Sequence, residues 1–168
     1  MLKTILVPLD GSQLAESAVD YALKLVGPES RIILLSVVQV PQFPIYDFYP
    51  SPAPMIPQYE TGMNDALKIA QDYLDRLADH LREETEATVI YEVEAGEPSE
   101  VIGLRAQALG VDAIVMSTHG RSGVGRLLFG SITNKVLANA GVPVFVVPNL
   151  DRQKELRATQ ESAASAKG

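Results

Sequence analysis

Residues Met116–Ser131, MSTHGRSGVGRLLFGS, hold the densest chemistry in the chain. An apolar run ending at Met116 gives way to a turn carrying Gly120, Gly123, Gly125 and Gly130, with Arg121 and Arg126 between them. A helix-forming run opens at Ser131. Glycine lets the backbone approach a ligand closely, and the first amides of a helix have no partner within it. Strand, glycine loop and helix start, in that order, suit an anionic group, with a nucleotide phosphate as the expected case.

Two familiar phosphate grips do not fit. A P-loop needs Lys before Ser/Thr, yet Gly130 directly precedes Ser131 and Phe129 precedes Gly130. A dinucleotide fingerprint starting at Gly123-Val124-Gly125 meets Leu128 where its third glycine belongs, and it follows the fourth strand instead of the first. His119 lacks a neighbouring nucleophile motif such as Gly-x-Ser-x-Gly and is read as a loop anchor. His80 falls late in a charged helix and is read as a surface residue. Glu94 and Glu97 fall near the crevice side and serve equally well as solvated turn residues.

These residues need a frame. Leu2–Leu9 reads as a buried strand closed by Asp10-Gly11-Ser12, with Ser12 capping a helix whose face is Leu14, Ala18, Ala22 and Leu25. Arg31–Val38 is a nearly continuous apolar strand, as parallel strands covered on both faces are. Residues 40–62 contain six prolines and are expected to form one long loop. A long helix is expected over Asn64–Glu84, with a core stripe of Ala66, Ile69, Ala70, Tyr73, Leu77 and Leu81. Ala87–Glu94 alternates and suits a strand near a sheet edge. Gly96-Glu97-Pro98 turns into a third helix ended by Gly110. Val111–Met116 and Val142–Val147 complete five strands, with a short helix Ser131–Ala140 between them. The last 20 residues, 149–168, are polar and are expected to be a mobile tail or a weak helix.

Strands alternating with helices specify an α/β fold: an open five-stranded parallel sheet with helices on both faces, of Rossmann-like type. Ligands in such sheets bind at strand carboxyl ends where the order reverses. Placing Asp10-Gly11-Ser12 beside the glycine loop gives the order 3-2-1-4-5. The apolar run Val142–Val147 would then lie at an edge, where pairing with its two-fold copy removes an aggregation hazard.

Composition narrows the classes. The formal charge of -7 disfavours nucleic acid and anionic membrane as partners, and no run has the length of a membrane span. Without cysteine there is no disulfide or thiolate chemistry, and with no leader pattern at the start the chain is read as cytoplasmic.

Ile5–Ser12, Val111–Gly123, Gly130-Ser131 and Val142–Val147 together resemble the universal stress protein A (UspA) family, in its ATP-binding branch, over residues 1–148. That branch carries Gly-x2-Gly-x9-Gly-Ser/Thr. Gly120, Gly130 and Ser131 match it, while Ser117 stands at its first glycine. The resemblance implies ATP, or AMP or ADP, with Mg2+ or Mn2+ riding on the phosphates, and a homodimer. Asp10 would accept from the ribose or the adenine edge. Pro8 and Leu9 would line the adenine side, Val37 would offer backbone contacts, and Met116 would pack on the base. Gly120, Arg121, Gly130, Ser131 and Ile132 would surround the phosphates, with Ser117 and Gly123 in the same loop and Thr133 as a further donor. Three roles stay open at this point: a nucleotide-binding stress or signalling protein with at most slow hydrolysis, an ATP-dependent enzyme of related fold, and a protein acting through protein contacts without nucleotide, which the Ser117 departure keeps in play.

Overall fold

Ile5, Leu6 and Val7 are fully buried, as are Ile32, Ile33, Leu34 and Leu35. Such runs leave no face for water, so both faces of their sheet must be covered. A computed structural model of the chain describes residues 1–39, 56–118 and 129–148. Its strands are β1 (Thr4–Pro8), β2 (Arg31–Gln39), β3 (Thr88–Gly96), β4 (Ala113–Ser117) and β5 (Val144–Val147). They form one parallel sheet in the order β3-β2-β1-β4-β5. This is the expected order 3-2-1-4-5, with β3 and β5 at the two edges.

The helices are α1 (Gln13–Leu25), α2 (Ile56–Glu84), α3 (Pro98–Ala108) and α4 (Ser131–Asn139). Alternation along the strands sorts the core into two layers. Ile5, Val7, Ile32 and Leu34 pack with Ala18 and Ala22 of α1 and Leu74 and Ala78 of α2. Leu6, Ile33 and Leu35 point the other way, onto Ile102 and Ala106 of α3 and Val136 of α4. Helices thus cover both faces. At the amino ends of the strands, the Asp112 carboxylate accepts from the Lys3 and Thr4 amides at 2.6 and 2.9 Å, tying the start of β4 to β1. The opposite ends are left to shape a site.

Two expectations are corrected. Helix α2 begins at Ile56, so residues 56–62 are helical and not part of a loop. Pro57 is the second residue of the helix, where its missing N–H costs nothing and its fixed φ fits. The core stripe of α2 is also rotated from the one read in the sequence. Ile69 is 68% exposed, whereas Leu74 and Ala78 are completely buried. Positions 70, 74 and 78 share the face with 73, 77 and 81, and Ile69 falls behind it. Among the described residues, no helix is long and apolar enough to cross a membrane. The rest of the expected proline loop (residues 40–55), the glycine loop at 119–128 with His119, Gly120, Arg121, Gly123 and Arg126, and the tail at 149–168 lie outside the described residues.

Candidate functional site

β1 ends at Pro8, which pairs with Leu35, and the Leu9 amide continues the ladder to the Leu35 carbonyl at 2.8 Å. The chain then turns through Gly11, whose φ of 79° lies in the left-handed region that glycine enters without a Cβ clash. Asp10 Oδ1 accepts from the Ser12 amide at 3.0 Å and from the Ser12 hydroxyl at 2.6 Å. The same hydroxyl oxygen accepts from the Ala15 amide at 3.1 Å, capping α1. Such a cap contributes about 1 kcal/mol. Here it also fixes the Asp10 carboxylate at the sheet edge. From α2, the Tyr73 hydroxyl donates to Glu16 Oε1 in the first turn of α1 at 2.9 Å. Burial raises the Tyr73 pKa, and the Glu16 carboxylate raises it further, so the phenol remains a donor.

The start of α4 is pinned to the end of β4. Thr133 Oγ1 lies 3.2 Å from the carbonyl oxygens of both Ser117 and Thr118. The Gly130 amide donates to Thr118 O at 2.7 Å, and the Thr118 amide donates to Val147 O at 3.0 Å. Gly130 is the N-cap of α4 and supplies no capping side chain. Among the described residues, the amides of the first turn that follows therefore have neither an intrahelical nor a side-chain partner.

A third wall comes from α3. Gly96 ends β3 with φ at 155°, and a Cβ there would come within 2.8 Å of Val101 Cγ2. The close approach lets the chain pass straight into α3. Glu97 caps α3: its Oε2 accepts from the Ser99 hydroxyl at 2.5 Å and from the Glu100 amide at 3.0 Å. Its Oε1 faces Lys135 Nζ of α4 at 3.1 Å. The Ser99 hydrogen bond, helped by the Glu100 amide and Lys135, outweighs partial burial and holds the Glu97 carboxyl at about 2. Glu94 is paired instead with Arg105, 3.6 Å away, and Arg105 binds Glu92 more closely at 2.6 Å.

Between these three ends lies an open cleft. Eight of the residues singled out in the sequence line it: Pro8, Leu9, Asp10, Val37, Met116, Ser117, Ile132 and Thr133. Gly130 and Ser131 stand at the α4 start beside it. Gly120, Arg121 and Gly123 lie outside the described residues. The lining is apolar where Pro8, Leu9, Leu35, Val37, Met116 and Ile102 meet, and polar at Asp10, Ser117 and Thr133. One role changes. The Thr133 hydroxyl was expected to donate to a ligand, but its single hydrogen is directed at the two carbonyls it bridges.

Sequence reasoning missed Ala15, Leu35, Pro98 and Ile102. A usable signal existed for Pro98. Every helix that follows a parallel strand starts at the carboxyl edge, so Gly96-Glu97-Pro98 had to lie on the site side.

The family model for the universal stress protein family matches residues 1–148. Universal stress protein MJ0577 of Methanocaldococcus jannaschii is 30% identical over 156 residues, covering 88% of this chain and 95% of that protein. The structure of universal stress protein UspA from Lactobacillus plantarum superposes with a TM-score of 0.72 at 24% identity, covering 86% of this chain and 97% of that one. A universal stress protein family protein from Arabidopsis thaliana, solved with AMP bound, gives a TM-score of 0.57 at 15% identity, covering 89% and 94% of the two chains. The sheet order, the cleft at the strand ends and a match running from the first residue to the end of the last strand agree, and this chain belongs to the universal stress protein family.

Proposed function

We propose that the chain is a stress-response or signalling factor that binds an adenine nucleotide, ATP in the first place, in the cleft between β1 and β4. The observation that carries this reading is one continuous cleft joining an apolar slot at the strand ends to the uncapped start of α4. A base fits the first part and an anion the second. The Arabidopsis protein of this fold holds AMP, which supports the ligand class. Met116 and Leu9 pack on the base, Val37 offers its backbone, and Asp10 accepts from the ribose or the adenine edge. The Ser131 and Ile132 amides take phosphate, with the Ser131 hydroxyl as a further donor. In the segment outside the described residues, Gly120, Arg121 and Gly123 complete the grip.

The residues fit a Mg2+ or Mn2+ ion carried by the nucleotide better than one held by the protein. Among the described residues, no group of three or more His, Cys, Asp or Glu could hold a metal ion. The protein supplies amides and apolar walls, and the ion would neutralise phosphate charge near Asp10 and Glu97. The chain acts in the cytoplasm as a homodimer paired along β5, holds nucleotide with at most slow hydrolysis, and passes its state to protein partners.

Mass spectrometry of the purified protein for carried-over adenine nucleotide tests the reading, together with a melt in ATP and magnesium. Ligand at about 100 times its Kd adds about 2.7 kcal/mol of stability. No carried nucleotide and an unchanged melt at millimolar ATP would replace this reading with the protein-contact role that Ser117 left open.

A further inference from the structure

We infer that the Glu97–Lys135 ion pair is a latch on the cleft, and that Lys135 is the residue that favours a polyphosphate over a nucleoside monophosphate. The inference rests on the adenine-nucleotide reading above and adds a specificity residue to it.

The pair joins the starts of α3 and α4, which pack as neighbours on one face of the sheet beside the cleft. Glu97 immediately precedes Pro98, and Lys135 lies one turn beyond Ser131 and Ile132; Pro98 and Ile132 both line the cleft. Ser131 and Lys135 are four residues apart and so share one face of α4. Helical side chains lean toward the N-terminus of their helix, which carries the Lys135 stem back over the Ser131 turn.

The partners differ in freedom. Glu97 is held by the Ser99 hydroxyl and the Glu100 amide while it faces the lysine. It stays ionised throughout the physiological range. Lys135 has a 59% exposed side chain and a flexible stem. Lys135 can therefore swing, and Glu97 stays in place as its resting partner. The first-turn amides of α4 satisfy one phosphate. Further phosphates bring negative charge to the rim, where they compete with the Glu97 carboxylate for the same ammonium. Occupancy by ATP opens the latch, and occupancy by AMP leaves it shut.

The test measures Kd for ATP and AMP, each with magnesium, on the full chain and on Lys135→Met, Lys135→Arg and Glu97→Gln. Lys135→Met is expected to weaken ATP about tenfold, the scale of one charge-assisted contact at an exposed site, while AMP changes less than about twofold. Lys135→Arg should restore the preference, because it keeps the charge. Glu97→Gln removes the competitor and should tighten ATP selectively. Glutamine retains an oxygen for the Glu100 amide, and the melting temperatures of all variants verify folding. Equal loss of ATP and AMP affinity in Lys135→Met, or no loss of either, overturns the latch while nucleotide binding stands. If the unsubstituted protein binds neither nucleotide, both readings fall.

Discussion

Thr133 Oγ1 lies 3.2 Å from the carbonyl oxygen of Ser117, linking α4 to the last residue of β4. The same oxygen is equally close to the carbonyl of Thr118. The distance between the apolar slot and the helix start is set by this buried hydroxyl. Thr133→Val keeps the shape and removes the donor to the Ser117 carbonyl, while the Thr118 carbonyl keeps the Gly130 amide. The expected cost is about 1–2 kcal/mol, or roughly 2–8 °C in Tm for a chain of this size. Thr133→Ser should recover most of it. A valine variant that melts with the parent protein would show that the hydroxyl does not set this junction.

Glu97 gives the protein an acid limb. Its carboxyl ionises at about 2 in the folded chain, against an ordinary 4.5. A depressed carboxyl stabilises the fold above its unfolded value and loses that contribution as pH falls through its folded one. Stability should therefore decline between about pH 4.5 and pH 2. Asp112, lowered by the Thr4 and Lys3 amides, adds to the same decline. Glu97→Gln should lower the unfolding free energy at pH values above about 4.5, pH 7 included, and flatten its fall between about pH 4.5 and pH 2. An acid limb of unchanged slope in that variant would remove Glu97 from the account.

The exposed edge predicts an assembly. Phe145 on β5 is 44% exposed, and among the described residues the strand has a neighbour on one side only. Two-fold pairing of β5 with its copy satisfies the edge groups and covers the ring. Light scattering should give twice the mass of one chain, and Phe145→Lys should shift the protein toward monomer. A monomeric parent protein at micromolar concentration would contradict the pairing.

The face of α2 that packs on the sheet can be checked by truncation. Leu74→Ala empties a fully buried position and should cost about 2–5 kcal/mol. Ile69→Ala, on the exposed side, should stay within about 0.5 kcal/mol. Chemical denaturation of both variants measures the contrast, and similar losses at the two positions would return Ile69 to the core.

That contrast marks where the sequence was legible. β1 and β2 could be read because their apolar runs are continuous, and Asp10-Gly11-Ser12 because its turn and cap are local. The strand order followed from setting two strand-end loops side by side. The phase of α2 was ambiguous because Ile69 and Leu74 both continue a plausible stripe. Its start was hidden by prolines, one of which occupies the first turn of the helix. In the site, residues next to a glycine or a strand end were found. Leu35 and Ile102 were missed, since they reach the cleft through sheet register and helix docking. Glu97 and Lys135 are 38 positions apart, and only the folded chain shows that they meet.

The cleft draws on five separate stretches of chain, around Pro8, Leu35, Pro98, Met116 and Ile132. No fragment carries it whole, and dislodging any one central strand dismantles it. Under the proposed function, ligand capture would require the ends of β1, β2 and β4 and the starts of α3 and α4 to have come together. Under the same proposal, a filled cleft would make each copy harder to unravel, and the protein's persistence would follow the supply of its ligand.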